Sequence, residues 1–581
     1  MADIGYESIP PSCSIRSIAW SEQARAMCGI LATNRGIIDL PTIIEYLKFR
    51  GPDQTNQVEV NGVNFVHTLL SMTGPPTAQP FVSEDQNRVA IFNGEIYNYQ
   101  DFGDFESDGE CLLAVYEKYG WKAIQQLDGE FAVAIIDFAE DTLLLSTDIF
   151  SMKPLWFANE QAEWGLSSYK SCLDRLGFSE PIQIEANSTY ILKLSTLEKI
   201  ERFDVHTFDL NQHKDTFDDW EAAFARSIAK RTQNIKHGIF IGLSSGYDSG
   251  AIACELEQQN IPFTAYSIVG SERKETIDAR VARTTDPRLF ELEMDEFMSA
   301  RDYIKKNCEE YPLRIDNGDA DWLEYTIKQH AELEAKLALP LKLLNDELGW
   351  FNEKSWFIKC EDVQALRNQR DTLANRIPSI AKTIDYRKTG QVLTNDNGAI
   401  GMSHICGKGK SEGQLIYLSG SGADEIFSDY GFGGVKHFRH STIGGNFPED
   451  LNTVFPWKNF FDNTQRAYLM KEEHVSGSYG VEGRYPFLDK DVVQEFLWLK
   501  PELKNSNYKS VLHHYMTKRE YPFDNSQKVG FNCGFSGSQE GEYTEKKSVY
   551  RTVGEAADES LVVDMELVIS RTEGRRARHV L

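Results

Sequence analysis

The fold of this 581-residue chain is decided by the stretch Gly242-Leu243-Ser244-Ser245-Gly246-Tyr247-Asp248-Ser249. It follows the apolar run 239–241 and precedes residues 250–258, whose composition predicts a helix. A strand that turns through small residues into a helix presents backbone N–H groups that bind anions, phosphate above all. The stretch matches neither the G-x-x-x-x-G-K-[ST] loop nor the G-x-G-x-x-G turn. It therefore predicts a phosphate site of another kind.

A second strand-to-turn unit points to the same place. The apolar run 415–418 leads into Ser419-Gly420-Ser421-Gly422-Ala423-Asp424-Glu425-Ile426-Phe427, and the strand-like run 264–270 also ends in glycine. Alternating strands and helices predict a doubly wound parallel sheet with its ligand beyond the carboxyl ends of the strands. Asp248 and Asp424 would meet there as hard oxygen ligands for Mg²⁺ that carries nucleotide phosphates.

These motifs resemble those of glutamine-dependent asparagine synthetases. The first is similar to the S-G-G-x-D-S loop (PP-loop) of enzymes that split ATP into AMP and pyrophosphate, with Ser245 replacing a glycine. The family's L-S-G-[ED]-G-x-D-E matches 418–425, and its G-[IV]-E-[AG]-R-x-P-F-L-D matches 480–489. Lys509 stands where the family has the lysine that holds phosphates during adenylation. The ATP-binding residues implied by the resemblance are Leu243, Ser244, Ser245, Gly246, Asp248, Ser249, Val269, Ser419 and Gly420.

The N-terminal half resembles class II glutamine amidotransferases. Its motifs follow in family order: Met27-Cys28-Gly29-Ile30, Arg50-Gly51-Pro52-Asp53, Asn93-Gly94-Glu95-Ile96-Tyr97-Asn98, Ser107-Asp108, the run 127–132 and the run 148–155. The resemblance implies that Cys28 is the nucleophile and its own free α-amine the base. Asn93 and the Gly94 N–H would stabilise the oxyanion. Glutamine would be bound by Arg50, Asn93, Glu95 and Asp108.

Residues 1–27 stand in front of the nucleophile. They have no long apolar core, and Asp3, Glu7 and Glu22 make a poor transit peptide. Three interpretations stay open: translation begins at Met27, a propeptide is cleaved after Met27, or the extension persists and the glutaminase is silent. An active glutaminase requires that Cys28 become the first residue.

Two departures from the family pattern concern substrates. Leu69 replaces the arginine of H-x-R-L-S, which in the family holds the glutamine α-carboxylate. Ser421 stands where the family usually has an acidic residue near the acceptor and ATP. The acceptor therefore need not be aspartate.

Composition narrows the class of protein. The formal net charge of −27 disfavours binding to nucleic acid or to an anionic membrane. No apolar run approaches the ~20 residues that span a bilayer. Nine cysteines show no C-x-x-C pairs or zinc-site spacing. Without a secretory signal they predict reduced thiols and a cytoplasmic location.

The predicted fold class is α/β and α+β in two domains. Residues 28–205, with predicted strands at 89–92, 132–136, 142–146 and 190–194, would form the four-layer αββα sandwich of N-terminal-nucleophile enzymes. Residues 206–540 would form the doubly wound PP-loop synthetase domain, entered through the acidic linker 209–219. Residues 541–581 would be a loosely held C-terminal tail.

A charged, helix-prone insertion at about 312–395 has no counterpart in a typical asparagine synthetase. Val363, Leu366, Leu373 and Ile377 would share one helix face, and Pro378 would end that helix. A helical hairpin docked on the synthetase core is favoured over a lid or a partner surface.

The resemblance implies an ATP- and glutamine-dependent amidotransferase with Mg²⁺. Ammonia released at Cys28 would displace AMP from an adenylated carboxylate, by default that of L-aspartate. Other carboxylates, such as a sugar acid or a biosynthetic acid, are the first alternative. The second is an ATP-dependent ring-closing synthetase whose glutaminase domain is silent. The oligomeric state stays open, with a homodimer among the expectations.

Overall fold

A computed structural model describes most of the chain. The described residues are 16–18, 28–70, 72, 77–269, 273–317, 323, 326–336, 365–375, 377–378, 392–524, 535–537 and 543–545. Most of residues 1–27 and of the C-terminal tail 541–581 therefore lie outside the described residues.

Two antiparallel sheets form the N-terminal domain. Their strands are β1 Arg16–Ile18, β2 Gly29–Thr33, β3 Gln54–Val60, β4 Val63–Leu69, β5 Phe81–Val82, β6 Arg88–Ile96, β7 Gly129–Asp137, β8 Thr142–Thr147, β9 Trp156–Glu160, β10 Glu163–Ser167, β11 Ile182–Gln183, β12 Thr189–Lys193 and β13 Lys199–Phe203. The seven-stranded sheet has the order β1-β3-β4-β2-β10-β9-β11, and the six-stranded sheet the order β13-β12-β8-β7-β6-β5. All four predicted strands are confirmed, and the one at 89–92 extends over the whole of β6.

Strand alternation explains why this domain has four layers. Successive side chains of a strand point to opposite faces of the sheet. On β7, Ala134 belongs to the core between the two sheets, together with Ile30 and Trp164 of the other sheet. Its neighbour Ile135 packs on the opposite face, in the cluster of helix α2, Cys111–Tyr119. Helices α1, Leu40–Ile43, and α3, Lys170–Arg175, cover the outer face of the seven-stranded sheet, which completes the predicted αββα sandwich.

A five-stranded parallel sheet forms the centre of the C-terminal domain. Its strands are β14 Gly238–Gly242, β15 Thr264–Ile268, β16 Pro287–Phe290, β17 Gln414–Leu418 and β20 Glu482–Arg484. The order is β16-β15-β14-β17-β20, and every neighbouring pair is parallel. The chain runs outward on either side of the β14/β17 pair, so this pair is the topological switch point where such sheets bind ligands. The predicted doubly wound sheet is confirmed.

Helices surround this sheet, and two short hairpins complete the elements. The helices are α4 Asp218–Thr232, α5 Tyr247–Gln258, α6 Lys274–Val281, α7 Met294–Asn307, α8 Asn397–Ser411, α9 Ala423–Phe427, α10 Lys458–Phe461, α11 Thr464–Tyr479, α12 Lys490–Trp498, α13 Pro501–Lys504 and α14 Ser510–Lys518. The hairpins are β18 Gly431–Phe432 with β19 Val435–Lys436, and β21 Phe535–Gly537 with β22 Tyr543–Glu545. The helix predicted over 250–258 begins earlier, at Tyr247, because Gly246 is extended and acts as its N-cap.

The insertion is helical where the structure describes it. Residues 326–336 and 365–375 are helical, and most of their side chains are exposed or half-buried. Pro378 is helical and the residues after it lie outside the described residues, so the helix end predicted at Pro378 stays a prediction. Residues 337–364 lie outside the described residues, so the helical hairpin and its docking stay predictions.

Buried ion pairs join the two domains. Arg231 of α4 donates to Glu130 of β7 at 2.7 Å and to Asp489 at 2.8 Å, and all three side chains are at most 2% exposed. Arg50 and Lys153 of the N-terminal domain both reach Glu473 of α11. Buried charges are tolerated when they are paired and hydrogen-bonded, so these contacts hold the domains in one arrangement.

Replacing Arg231 should therefore be costly. We expect Arg231→Met to lower the free energy of unfolding by about 3–5 kcal/mol, because Glu130 would lose its nearest cation and Asp489 would keep only Lys230. Urea unfolding followed by tryptophan fluorescence measures this change. The matched control is Arg202→Met: the Arg202 side chain is 37% exposed in its ion pair, and its loss should cost under about 1 kcal/mol. Equal effects in the two variants would contradict the role given to Arg231.

Candidate active sites

The loop after β14 is held in shape by its own serines. Ser249 Oγ accepts from Ser244 N–H at 3.0 Å and lies 2.9 Å from Ser244 Oγ. Ser244 Oγ in turn accepts from Gly246 N–H at 3.2 Å. Because α5 begins at Tyr247, Asp248 lies in the first turn of the helix, where its negative charge is favoured.

The loop after β17 approaches the first loop very closely. A Cβ on Gly420 would lie 2.8 Å from Asp248 Cβ, so only glycine fits at this position. Ser421 N–H donates to Ser419 Oγ at 3.0 Å, which turns the chain toward α9. Asp424, in the first turn of α9, then faces the same space as Asp248.

Lys509 connects the two loops. Its Nζ lies 2.5 Å from Asp248 Oδ1 and 2.8 Å from Asp424 Oδ1, and its side chain is 2% exposed. Burial alone would lower the pKa of Lys509, but the two carboxylates outweigh it and raise the pKa. The backbone of Lys509 is left-handed, with φ of +47°, a strained conformation of the kind that clusters at functional sites.

A cavity of about 800 Å³ opens over these three side chains. This volume lies within the range of ligand and cofactor sites. Of the predicted ATP-binding residues, those that line the cavity are Ser244, Ser245, Gly246, Asp248, Ser249 and Gly420. Leu243, Val269 and Ser419 are buried and are not among its lining residues. The other side of the cavity is largely aromatic and aliphatic, with Phe240, Met402, Ile405, Tyr417 and Phe432 in its wall.

Sequence reasoning missed several charged residues of this cavity. Lys471 and Glu472 of α11 line it, as do Asp396 and Asp524. Lys471 Nζ lies 3.4 Å from Asp396 Oδ1, and Ser421 Oγ donates to Glu472 Oε1 at 2.9 Å. The one available signal was the charged triplet 471–473, placed shortly before the motif at 480–489.

Two aspartates are the candidate metal ligands. In the described part of the chain, no group of three or more His, Cys, Asp or Glu side chains is arranged to hold a metal ion. Asp248 and Asp424 still fit Mg²⁺, because both carboxylates face the cavity and Mg²⁺ is usually held by one or two carboxylates together with substrate phosphates.

A second, much smaller cavity of about 40 Å³ lies in the N-terminal domain. It brings together Cys28, Asn93, Gly94, Glu95 and Asp108, all predicted from the sequence. Its volume suits a water molecule or two rather than a glutamine side chain. Glutamine would therefore have to displace lining side chains.

Cys28 is held as a neutral thiol in this cavity. Its Sγ accepts from Leu70 N–H at 3.3 Å. Burial raises the pKa of Cys28 to about 12, a shift that Glu482, Asp108 and Glu95 increase. In the full chain its nitrogen is bonded to Met27 as a peptide, so it cannot serve as an amine base.

Two donors lie beside the thiol. Asn93 is 1% exposed, and its Nδ2 has no hydrogen-bond partner among the described residues. A buried amide without a partner is costly, so a ligand carbonyl in the cavity would satisfy it. Gly94 has φ of +134°, and a Cβ there would lie 1.9 Å from the carbonyl oxygen of Glu130, so no other residue fits.

The predicted glutamine-binding residues divide into two groups. Asp108 lines the cavity and accepts from Ile96 N–H at 2.9 Å, and burial raises its pKa to about 6. Glu95 lines it too and lies 3.2 Å from Arg484. Arg50 is not among the lining residues: its guanidinium donates to the carbonyl oxygen of Cys28 at 3.2 Å and to Glu473 at 2.8 Å. Leu69 makes the wall apolar at the place of the family's arginine.

The fold defines a class: a two-domain α/β protein whose N-terminal domain has the sandwich of N-terminal-nucleophile enzymes and whose C-terminal domain is built on a doubly wound parallel sheet. A family model described as a glutamine amidotransferase domain matches residues 27–211, and one described as asparagine synthase matches residues 458–566. Together with the relatives below, these matches make both halves of the chain similar to glutamine-hydrolysing asparagine synthetases.

The relatives span most of the chain at low identity. A putative asparagine synthetase (glutamine-hydrolyzing) 1 of Methanocaldococcus jannaschii is 22% identical over 81% of this chain and 76% of its own length. Asparagine synthetase 2 of Oryza sativa subsp. japonica is 24% identical, over 82% and 70%. Asparagine synthetase 1 of Saccharomyces cerevisiae is 24% identical, over 82% and 77%.

Two solved structures resemble part of the chain. The allosteric regulatory enzyme of purine biosynthesis matches 45% of this chain and 80% of its own, with 13% identity and a TM-score of 0.26. Glutamine phosphoribosylpyrophosphate amidotransferase from B. subtilis matches 41% and 65%, with 16% identity and a TM-score of 0.25. Among the described residues, no helix is long and apolar enough to cross a membrane.

The thiol chemistry leads to a prediction about residues 1–27. Because the pKa of Cys28 is about 12, iodoacetamide at pH 7.5 should alkylate it roughly 10³-fold more slowly than an ordinary thiol. A chain that begins at Cys28 gains a free amine beside the sulfur and should react faster. Mass spectrometry of the tryptic peptides measures both rates, with buried Cys172 as the slow internal reference. Rapid alkylation of Cys28 in the full chain would contradict the expectation.

Proposed function

We propose that this chain is an ATP- and glutamine-dependent amidotransferase that converts a carboxylate into an amide. The observation that carries the proposal is the contact of Lys509 with Asp248 and Asp424, which joins three motifs far apart in the sequence. This contact lies at the switch point of the parallel sheet and in the wall of the 800 Å³ cavity. We assign the domain boundaries as 28–205 for the glutaminase and 206–540 for the synthetase.

The synthetase half would activate the acceptor with ATP. An acceptor carboxylate oxygen attacks the α-phosphorus, pyrophosphate leaves, and an acyl-adenylate is formed. Lys509 would neutralise phosphate charge as it develops, which is the kind of electrostatic term that dominates such reactions. The serine-rich loop and the start of α5 would hold the phosphates through backbone N–H groups. Mg²⁺ held by Asp248 and Asp424 would supply charge neutralisation on the phosphates.

The default acceptor is L-aspartate. The similarity to asparagine synthetases and Lys471, a cation in the cavity wall, support a small acidic substrate. Ser421, with a hydroxyl where the family has an acid, supports a wider set of carboxylates that includes sugar acids and other biosynthetic acids. We include a cytoplasmic location and a homodimer in the proposal as expectations from the sequence.

The glutaminase half would release ammonia from glutamine. The Cys28 thiolate would attack the side-chain amide, with Asn93 Nδ2 and the Gly94 N–H as donors to the oxyanion. Asp108 and Glu95 would bind the α-amino group from the cavity wall. This half requires a free amine on Cys28 and hence the loss of residues 1–27.

Specific observations favour a second candidate, a ring-closing synthetase with a silent glutaminase. Leu69 leaves no cation at the place of the family's arginine, the cavity holds about 40 Å³, and Arg50 is committed to Glu473. In that case the nucleophile would be an amine of the acceptor itself. Carboxylate-dependent ATP–pyrophosphate exchange across a panel that begins with aspartate identifies the acceptor without requiring the glutaminase.

The nucleotide site should fail when any of its three charges is removed. We expect Asp248→Asn, Asp424→Asn and Lys509→Ala each to lower exchange by roughly 10²-fold or more, because transition-state charge stabilisation of this kind is worth several kcal/mol. The control is Lys518→Ala, whose side chain is 49% exposed and lies outside the cavity lining. Robust exchange in the three variants would refute the assigned site.

Replacing Cys28 should remove glutamine hydrolysis and leave the synthetase reaction in place. We expect Cys28→Ala to abolish glutamine-dependent product while synthesis from added ammonium continues, because the nucleotide site has its own cavity. Product formation is measured by mass spectrometry with each nitrogen source. Cys172→Ala, which changes a buried cysteine away from both cavities, is the control. Unchanged use of glutamine by Cys28→Ala would exclude the glutaminase proposal.

A further inference from the structure

The hairpin β18–β19 carries exposed apolar side chains at the edge of the 800 Å³ cavity of the nucleotide site. Phe432 is 37% exposed and Val435 55%, and Phe438, just after the hairpin, is 42% exposed. All three line the cavity, and they are three of the nine large apolar side chains that are exposed among the described residues. Single exposed apolar residues are ordinary, but a group of them beside a cavity marks a binding surface.

The hairpin presents two of these side chains on one face. Phe432 of β18 pairs directly with Val435 of β19. Directly paired residues of antiparallel strands lie on the same side of the sheet and contact each other. Gly433 and Gly434 form the two-residue turn between them, with φ of +60° and +84°. The turn therefore holds Phe432 and Val435 together as one apolar surface.

Buried polar contacts fix the base of the hairpin. Asp429 is fully buried and accepts from Thr442 N–H at 2.6 Å and from Ile443 N–H at 2.7 Å. Gly434 N–H donates to the carbonyl oxygen of Gly444 at 3.0 Å, which ties the turn to the same segment. A loop without such anchors can fold its apolar side chains inward. Here the backbone imposes the exposure of the apolar pair.

Aromatic contacts place the hairpin beside the phosphate site. His437, which follows β19, packs edge-on against Tyr508, with ring centroids 5.3 Å apart. Tyr508 Oη donates to Asp424 Oδ1 at 2.8 Å, and Asp424 contacts Lys509. One aromatic residue therefore connects the hairpin to the proposed metal ligand. A molecule whose carboxylate lies at the phosphate site can reach the hairpin within the same cavity.

A different apolar surface adjoins the serine-rich loop. Ile405 and Tyr417 line the cavity next to Gly242, where β14 ends: a Cβ on Gly242 would lie 3.8 Å from Ile405 and 3.9 Å from Tyr417 Oη. This surface, beside the loop that would hold the phosphates, is available to the base of ATP. The hairpin is formed later in the chain, after α9, and is left for the acceptor.

We propose that the acceptor is a carboxylic acid with an apolar portion, an aliphatic chain or an aromatic ring, and that Phe432 and Val435 bind this portion. The inference rests on the proposed activation of a carboxylate by ATP and narrows its acceptor. Removing apolar surface from water favours binding in proportion to the area covered. L-Aspartate has no apolar portion, so it would leave the hairpin surface in water.

A series of acids tests this class of acceptor. ATP–pyrophosphate exchange is measured with L-aspartate and with straight-chain acids from acetate to octanoate, which differ only in apolar length. We expect kcat/KM to rise about threefold for each methylene that reaches the hairpin. Octanoate should exceed both acetate and L-aspartate by about tenfold or more.

Variants of the hairpin assign the preference to its surface. Phe432→Ser and Val435→Ser should each lower kcat/KM for octanoate by about tenfold and change the value for acetate by less than about twofold. Phe432→Leu keeps an apolar side chain and should retain the preference for octanoate. The matched control is Ile200→Ser on β13: Ile200 is 48% exposed, does not line the cavity and should affect neither acid. Thermal melts confirm that each variant is folded.

The outcomes separate the inference from the proposed function. Equal kcat/KM along the series, or exchange with L-aspartate alone, would overturn the inference and leave the proposed function intact. An equal loss with every acid in Phe432→Ser would also overturn it, because the hairpin would then hold the base of ATP. Absence of exchange with every acid would refute the proposed function itself. Calorimetric binding of octanoate that is weakened in Phe432→Ser would then still support the apolar site.

Discussion

The buried carboxylate of Glu473 is the contact on which the relation between the two sites depends. Glu473 Oε2 accepts from Arg50 at 2.8 Å, and Oε1 accepts from Lys153 at 3.0 Å and from Tyr485 at 2.9 Å. Burial opposes ionisation of Glu473, yet the two cations outweigh it and lower its pKa. Loss of either cation would leave a poorly compensated buried charge, which costs several kcal/mol. The pairing of Glu473 with Arg50 and Lys153 therefore fixes how the two domains lie against each other.

Helix α11 serves both sites through neighbouring residues. Successive side chains of a helix point about 100° apart, so Glu472 and Glu473 face different directions. Glu472 lines the nucleotide cavity, whereas Glu473 holds Lys153, which lines the cavity of Cys28. A displacement of α11 would shift both groups at once. The helix is thus the physical connection between the cavities.

Local sequence pattern was sufficient for the framework of the fold and for the loops of the nucleotide site. The strands β14 and β17 follow from apolar runs that end in small residues. One of these small residues is Gly420, whose missing side chain lets Asp248 lie close to the loop after β17. The contact of Lys509 with Asp248 joins residues 261 positions apart, and only the resemblance suggested it. Glu472 was missed because a glutamate on a helix is most often a solvated residue. Its burial depends on tertiary packing.

The contacts of Arg50 were not predicted by the resemblance to the family. Its motif implies a glutamine ligand, and that role stays a prediction; in the structure the guanidinium is fully buried and donates to Glu473 and to the carbonyl oxygen of Cys28. The partner of Arg50 in the structure is Glu473, which belongs to the other domain and lies 423 positions further along the chain. The local sequence around Arg50 could not predict this contact.

Lys153 connects the cavity of Cys28 to helix α11. It lines the cavity of Cys28, and its ammonium donates to Glu473 Oε1 at 3.0 Å and to the carbonyl oxygen of Gly483 at 2.7 Å. Glu473 thus has two cationic partners, Lys153 and Arg50. Arg50 also donates to the carbonyl oxygen of Cys28 at 3.2 Å. Arg50 therefore contacts both the backbone of Cys28 and the carboxylate that holds Lys153.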